Sequence, residues 1–242
     1  MSAASHRGTL YLIPTPLGKE VSAWVIPAEV MHLVSRLDTF VVEHPKTARH
    51  FLKQIGTQKA LQELTLLTLD EHTKPDELAA LLAPALQGKD IGLMSEAGCP
   101  AVADPGGNLV RLAHTKGVRV VPLVGPSSIM LALMASGLNG QQFTFHGYLP
   151  AGKEARSKAL KNLEKISRER KQTQIFIETP YRNLPLFQDI VATCSEATWL
   201  CVACELTTPA EHIETKRIQE WKGKLPEINK KPTIFLLYAE VS

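Results

Sequence analysis

Apolar residues along the first half of this chain follow two alternating rhythms. Short runs have the length of buried strands: Leu10-Tyr11-Leu12-Ile13, Phe40-Val41-Val42, Leu64 to Leu69, Ile91-Gly92-Leu93-Met94 and Val118-Arg119-Val120-Val121-Pro122. Between them, apolar residues recur at helical spacing: Val30, Leu33, Val34 and Leu37; Ala48, Phe51, Leu52 and Ile55; Leu78, Leu81, Leu82 and Ala85; Leu109, Leu112 and Ala113. The punctuation agrees. Pro14-Thr15-Pro16-Leu17-Gly18 closes the first strand, while Gly56 and Gly117 suit helix caps. Thr73, with Pro75 and Asp76 behind it, marks a helix start, and Pro84 should kink that helix or end it early. Five strands alternating with helices over 10–122 predict a parallel sheet with right-handed crossovers, hence a complete domain over residues 1–122.

Residues 123–242 change style. A helix over Ile129 to Ala135 is apolar all round, which predicts burial on every side where the first domain meets a second. Strand-like runs near Phe143–Phe145, Gln174–Ile177, Thr198–Ala203, Glu211–Ile218 and Thr233–Leu237 are interspersed with two clear helices, so antiparallel pairing enters. The fold class expected is α/β, with two α/β domains: an N-terminal parallel five-stranded sheet and a C-terminal mixed sheet.

Composition narrows the class. With 242 residues, 44% hydrophobic and 21% charged, the chain is long enough and apolar enough to bury full cores. A net charge of +3 permits an anionic partner without requiring one. No apolar run has bilayer length and Met1 to Gly8 lacks the apolar core of a signal peptide, so a cytoplasmic protein with no membrane partner is expected. Cys99, Cys194, Cys201 and Cys204 fit free thiols. Cys201 and Cys204 have redox or zinc spacing, but on a strand they point to opposite faces, which favours a structural reading.

Candidate chemistry is confined to loops. There is no Gly-x-Gly-x-x-Gly, no phosphate-binding Gly-x-x-x-x-Gly-Lys-Ser/Thr, no Gly-x-Ser-x-Gly and, beyond the Cys201 and Cys204 pair, no cluster of His and Cys with metal-ligand spacing. Ser95 to Gly107, which follows the fourth strand, packs three glycines, two prolines and the carboxylates of Glu96 and Asp104 into thirteen positions. Such a loop lets the backbone approach a ligand closely at the carboxyl end of a parallel sheet. Gly125-Pro126-Ser127-Ser128 opens the all-apolar helix and offers hydroxyls and free N–H groups, or simply a cap. The helix that begins near Arg156 is basic: Lys158, Lys161, Lys165 and Arg168 share a face, as either a solvated surface or a phosphate-binding one.

In order, these segments resemble the tetrapyrrole methylase superfamily. Within it they are most similar to the small-subunit ribosomal RNA (cytidine ribose 2′-O) methyltransferases. The segments that carry the likeness are Leu10 to Gly18, Leu93 to Pro100 with Asp104-Pro105-Gly106, Val120 to Ser128, Leu133 to Leu138, Phe143 to Pro150, Glu178-Thr179-Pro180-Tyr181-Arg182 and Glu205-Leu206-Thr207. The departures point to a shorter, divergent paralogue. Lys19 to Trp24 replaces a Gly-Asn-Leu-x-Asp-Ile stretch, Glu43-His44-Pro45-Lys46-Thr47 stands for Glu-Asp-Thr-Arg, Lys231-Pro232 replaces Gly-Glu, and a further C-terminal helical domain is absent.

The resemblance implies S-adenosylmethionine in a cleft between the two domains. Pro16, Gly98, Cys99, Val102, Ala103, Ser128 and Ile129 would line it from one side, and Thr179, Ala203 and Thr233 from the other, with no metal. It implies a homodimer and ribosomal RNA as partner. A tetrapyrrole or other small-molecule acceptor, or a module that binds the cofactor without catalysis, stays open. A ribose hydroxyl profits from a base, and Glu43, Glu178 and Glu205 stand at strand ends as candidates, or as salt-bridge partners.

Overall fold

The computed structural model describes residues 7–19 and 24–240. Of the substituted stretch after the first loop, residues 20–23 therefore lie outside the described residues, as do residues 1–6 of the Met1 to Gly8 segment. The chain forms two compact units, one up to Ser127 and one from Ser128 onward.

The first unit runs β1 (Thr9–Ile13), α1 (Ala28–Ser35), β2 (Thr39–Val42), α2 (Pro45–Ile55), β3 (Thr65–Thr68), α3 (Leu78–Leu86), β4 (Ile91–Met94), α4 (Gly106–Thr115) and β5 (Arg119–Pro122). Its strands are all parallel, in the order β3-β2-β4-β1-β5. β2 and β4 are buried along their whole length, as strands covered on both faces must be, and this explains their unbroken apolar runs. Ile13, Phe40, Val42 and Met94 pack under α1 and α2, whereas Leu10, Val41, Ile91 and Leu93 pack under α3 and α4. Chain connections leave β2 toward one side of the sheet and β4 toward the other. The crevice between their carboxyl ends is thus a topological switch point, where open sheets take ligands.

Helix α3 begins at Leu78, later than Thr73 suggested. Asp70 Oδ1 accepts from the Thr73 hydroxyl and the His72 N–H, and Glu77 accepts from the Lys74 N–H, so this stretch satisfies its backbone as turns. Pro84 sits in the helix's last turn, where it lacks the N–H that would donate to the Ala80 carbonyl, and the helix ends two residues on at Leu86.

The second unit contains α5 (Ser128–Ser136), β6 (Phe143–Tyr148), α6 (Lys153–Arg170), β7 (Thr173–Ile177), a 3-10 turn (Pro180–Arg182), α7 (Asn183–Thr193), β8 (Trp199–Cys204), β9 (His212–Arg217), α8 (Ile218–Trp221) and β10 (Thr233–Tyr238). The sheet order is β6-β7-β10-β8-β9; β6 runs parallel to β7 and every other pair is antiparallel, giving the mixed sheet that was expected. Phe176, Leu200, Val202, Phe235 and Leu237 face α6, α7 and α8 in one core.

Helix α5 packs on the same sheet, and the Thr215 hydroxyl donates to the Ser136 carbonyl at 2.9 Å. Burial on every side is not what the helix shows: Ala132, Leu133 and Ser136 are buried, whereas Met134 is 76% exposed. Its sheet-facing stripe is the usual width, and the apolar residues on the remaining face are left uncovered.

Candidate active site

In the first unit the sheet brings three loops to one edge. Thr15 and Gly98 form an isolated antiparallel bridge, N–H to carbonyl at 2.9 Å and 3.0 Å, which ties the loop after β1 to the loop after β4. The Thr15 hydroxyl adds a bond to the Ser95 carbonyl at 3.2 Å. Gly98 adopts φ +76°, a conformation that favours glycine, and a Cβ there would stand 3.2 Å from Leu17 Cδ2 and 3.5 Å from the Pro126 carbonyl, so the loops lie close together at this point. The Cys99 thiol donates to that same carbonyl at 3.4 Å, which joins the segment before α5 to this edge. A Cβ on Gly125 would fall 2.2 Å from Pro14 Cγ, so the two loops touch backbone to ring.

Beyond Cys99 the loop is strained. Ala101 and Ala103 have φ of 65° and 60°, in the left-handed region that side chains disfavour. Asp104 holds them. Its carboxylate accepts from the Ala101 N–H at 2.9 Å and 3.0 Å and from the Gly106 N–H at 2.8 Å. Burial pushes the Asp104 carboxyl above the usual range, against the pull of those two N–H groups. Thus Pro16, Gly98 and Cys99 are drawn together by hydrogen bonds within this unit, and Val102 and Ala103 project from the same loop, both exposed.

The carboxyl ends of β2 and β4 bound a cavity of about 310 Å³. Ala48, Phe51 and Met94 give it an apolar floor; Glu43, Glu96, Thr47 and Lys19 supply charge and hydroxyl. The Thr47 hydroxyl donates to both Glu96 oxygens, at 2.8 Å and 3.0 Å, and His44 Nδ1 lies 3.5 Å from Glu96. Desolvation holds the Glu43 carboxyl above its ordinary range, and the charge of Glu96 pushes the same way.

In the second unit the sheet aligns the other expected residues. Thr233 stands opposite Cys204 and Ile234 opposite Ala203 and Ile177, so Glu178 and Thr179 come at the end of β7 where β10 begins. The Glu178 side chain is fully buried; its Oε1 accepts from the Thr179 N–H at 2.6 Å and from Arg182 at 2.7 Å and 3.0 Å. Its Oε2, buried alike, has no hydrogen-bond donor among the described residues. Glu205 forms an ion pair with Lys231 at 3.7 Å. Ser128 and Ile129 open α5, half-buried.

The profile of the tetrapyrrole (corrin/porphyrin) methylases matches residues 9–222 of this chain. The chain belongs to the tetrapyrrole methylase family. Among curated members of that family it is similar to the ribosomal RNA small subunit methyltransferase I of Escherichia coli O157:H7, 34% identical over 90% of this chain and 72% of the relative. The enzyme of the same name from Haemophilus influenzae is 30% identical over 95% of this chain and 78% of its own. Among solved structures, the tetrapyrrole methylase fold recurs in the methyltransferase CobJ, with a TM-score of 0.64 and 18% identity over 96% of this chain and 94% of that one. It recurs also in the uroporphyrin-III-C-methyltransferase of Thermus thermophilus, with a TM-score of 0.54 and 17% identity over 96% and 92%. This tetrapyrrole methylase is an S-adenosylmethionine-dependent methyltransferase.

The residues present suit that cofactor. Adenosine and a sulfonium need main-chain donors and acceptors, apolar walls and few charges, and the bridged loops around Gly98 offer such a surface. The buried Glu178 Oε2 is an acceptor for which the described residues supply no donor, as expected where a ligand or a bound water completes the bond. Two features escaped the sequence reading: the Asp104 clamp, hidden because the strained residues are alanines rather than glycines, and the cavity beside Glu43. A Thr47 beside a Glu43-His44 pair carries a signal only once β4 is known to lie next to β2. Among the described residues no helix is long and apolar enough to cross a membrane, and no group of three or more His, Cys, Asp and Glu is placed to hold a metal ion.

Proposed function

We propose that this methyltransferase modifies a ribose 2′-hydroxyl of small-subunit ribosomal RNA. The observation that supports this reading is the match, at 30–34% identity over 90–95% of the chain, to enzymes named for that RNA. A small-molecule acceptor has weaker support, since the CobJ and uroporphyrin methyltransferase likenesses lie below 20% identity and speak for fold alone.

In this reading one S-adenosylmethionine is held by Pro16, Gly98, Cys99, Val102, Ala103, Ser128 and Ile129 together with Thr179, Ala203 and Thr233. The cofactor supplies an electrophilic methyl carbon. The chain's own work is to bind, to exclude water and to hold the hydroxyl near ~3–3.5 Å in line with that carbon. The Asp104 clamp and the Thr15–Gly98 bridge fix the loop backbone before ligand arrives, which reduces the ordering cost of binding. The reading includes a cytoplasmic homodimer, for which exposed Met134 and Tyr148 offer apolar surface, and light scattering measures its mass.

The test is direct. Small ribosomal subunits from cells with the gene deleted are incubated with the purified chain and radiolabelled S-adenosylmethionine, and digested rRNA is examined by mass spectrometry. A gain of one methyl on a ribose is the expected result. Calorimetry that detects no S-adenosylmethionine binding would count against the reading at its root.

A further inference from the structure

Three glutamates stand at strand ends as candidate bases, and the structure separates them. Glu178 is locked: its side chain is fully buried and its Oε1 takes three N–H bonds, two of them from a guanidinium. A carboxylate so engaged gives up basicity with every bond it accepts. Glu205 is paired with Lys231. Glu96 accepts from Thr47 through both oxygens and lies beside His44. Glu43 differs from all three. It directly follows the fully buried β2, it lines the cavity at the switch point, and its carboxylate has no hydrogen-bond or ion-pair partner among the described residues.

We infer that the cavity beside Glu43 receives the nucleotide to be methylated and that Glu43 is the general base that takes the proton of its hydroxyl. The inference rests on the proposed RNA ribose acceptor. An apolar floor of Ala48, Phe51 and Met94 suits the face of a base or sugar, and Thr47, Ser95 and Glu96 on the wall suit its polar edges. The step balances. The hydroxyl O–H bond breaks to a Glu43 oxygen while an oxygen lone pair forms the new O–C bond to the methyl group. The S–C bond breaks with its electrons left on sulfur, whose positive charge is thereby lost. Glu43, now a neutral acid, returns its proton to water.

The groups around Glu43 fit the task. Glu96 and Asp104 face it from the β4–α4 loop and Glu71 from the segment after β3, all three raising its proton affinity, while His44 lowers it; Lys19 and His50 stand on the cavity wall. A base is most effective when its pKa approaches the working pH, and desolvation moves Glu43 in that direction.

The experiment is single-turnover methylation of small ribosomal subunits by the native chain, Glu43→Gln and Glu43→Asp, each across pH, with S-adenosylmethionine affinity measured separately by calorimetry. Glu43→Gln should lower the rate by about 10²–10⁴-fold, with cofactor affinity within twofold of native. The native rate should rise with pH through an acid limb that is absent in Glu43→Gln and displaced in Glu43→Asp. An unaltered rate and limb in Glu43→Gln would overturn the role of Glu43 while leaving the RNA reading intact. If Glu43→Gln does not fold, Glu43→Asp decides alone, and an acid limb at the native pH overturns the inference. Failure of the native chain to methylate rRNA at all overturns both.

Discussion

Ala101 and Ala103 occupy left-handed backbone at a cost of about 1–2 kcal/mol each, and an ordinary βα loop has no reason to carry it. Asp104 keeps the loop there by accepting two N–H groups. Asp104→Ala frees both donors, so we expect a loss of about 1–3 kcal/mol in urea unfolding and at least tenfold weaker S-adenosylmethionine binding by calorimetry. Unchanged affinity would mean that the strained loop does not touch the cofactor. Glu43 makes a separate, thermodynamic prediction. Its folded pKa is raised, so its contribution to stability is full below the unfolded value and is lost as pH rises through the folded one. Glu43→Gln removes the charge that folding disfavours. The variant should therefore melt above the native protein at pH 8, by a margin that shrinks toward pH 5. A margin that grows on acidification would reverse the sign of the argument. The sequence marked the Ser95–Gly107 loop through its glycines and prolines, which are local signals. It did not mark what Asp104 does, because alanine has no left-handed preference to read, and it left Glu43, Glu178 and Glu205 equivalent, because their partners come from other elements.

At the level of elements, periodicity located strands and helices well, and what it missed depended on tertiary partners. Arg156 reads as one more cation of a basic helix, yet it is buried: its Nε donates to Asp189 at 2.7 Å and its Nη1 to the Ala151 carbonyl at 2.8 Å, which joins α6 to α7. Nothing local reveals a partner 33 residues away. Asp189→Ala strands that guanidinium and should cost about 3–5 kcal/mol in urea unfolding, against almost nothing for Lys161→Ala on the exposed face. That face also changes its meaning in three dimensions. Lys158 pairs with Glu154 at 2.8 Å and Lys165 lies 3.8 Å from Glu169, one helical turn away in each case. A lysine held by a neighbouring carboxylate neutralises a phosphate less fully and so releases fewer of the cations condensed on the RNA. Changing Lys158, Lys161 and Lys165 to glutamine should thus flatten the log–log salt dependence of rRNA binding by no more than about one unit, not the 2–3 expected for three free phosphate contacts. A change of 2–3 units would make α6 the RNA-binding face. The Cys201–Cys204 spacing illustrates the opposite case, where strand geometry was sufficient: both thiols are free and buried, and burial pushes Cys201 up to about 11.

For the whole molecule, two units with separate cores predict that unfolding is not a single two-state event. The residues proposed to hold the cofactor are divided between them: Pro16 to Ala103 fall in the first, Ser128 to Thr233 in the second. A ligand that binds only native structure stabilises whatever it touches by RT ln(1 + [L]/Kd), about 2.7 kcal/mol at a hundredfold excess over Kd. Spread over domains of this size, each kcal/mol moves a melting temperature by roughly 4–8 °C. Calorimetric scans of the full chain, with and without saturating S-adenosylhomocysteine, therefore test the division of the site. If residues of both units hold one molecule, both transitions move upward together or merge, because neither unit can unfold without releasing the ligand. If only the transition of the first unit moves, Thr179, Ala203 and Thr233 do not contact the cofactor. The unpartnered Glu178 Oε2 would then be satisfied by water, and hydrogen exchange at the Thr179 N–H beside it would be the same with and without ligand.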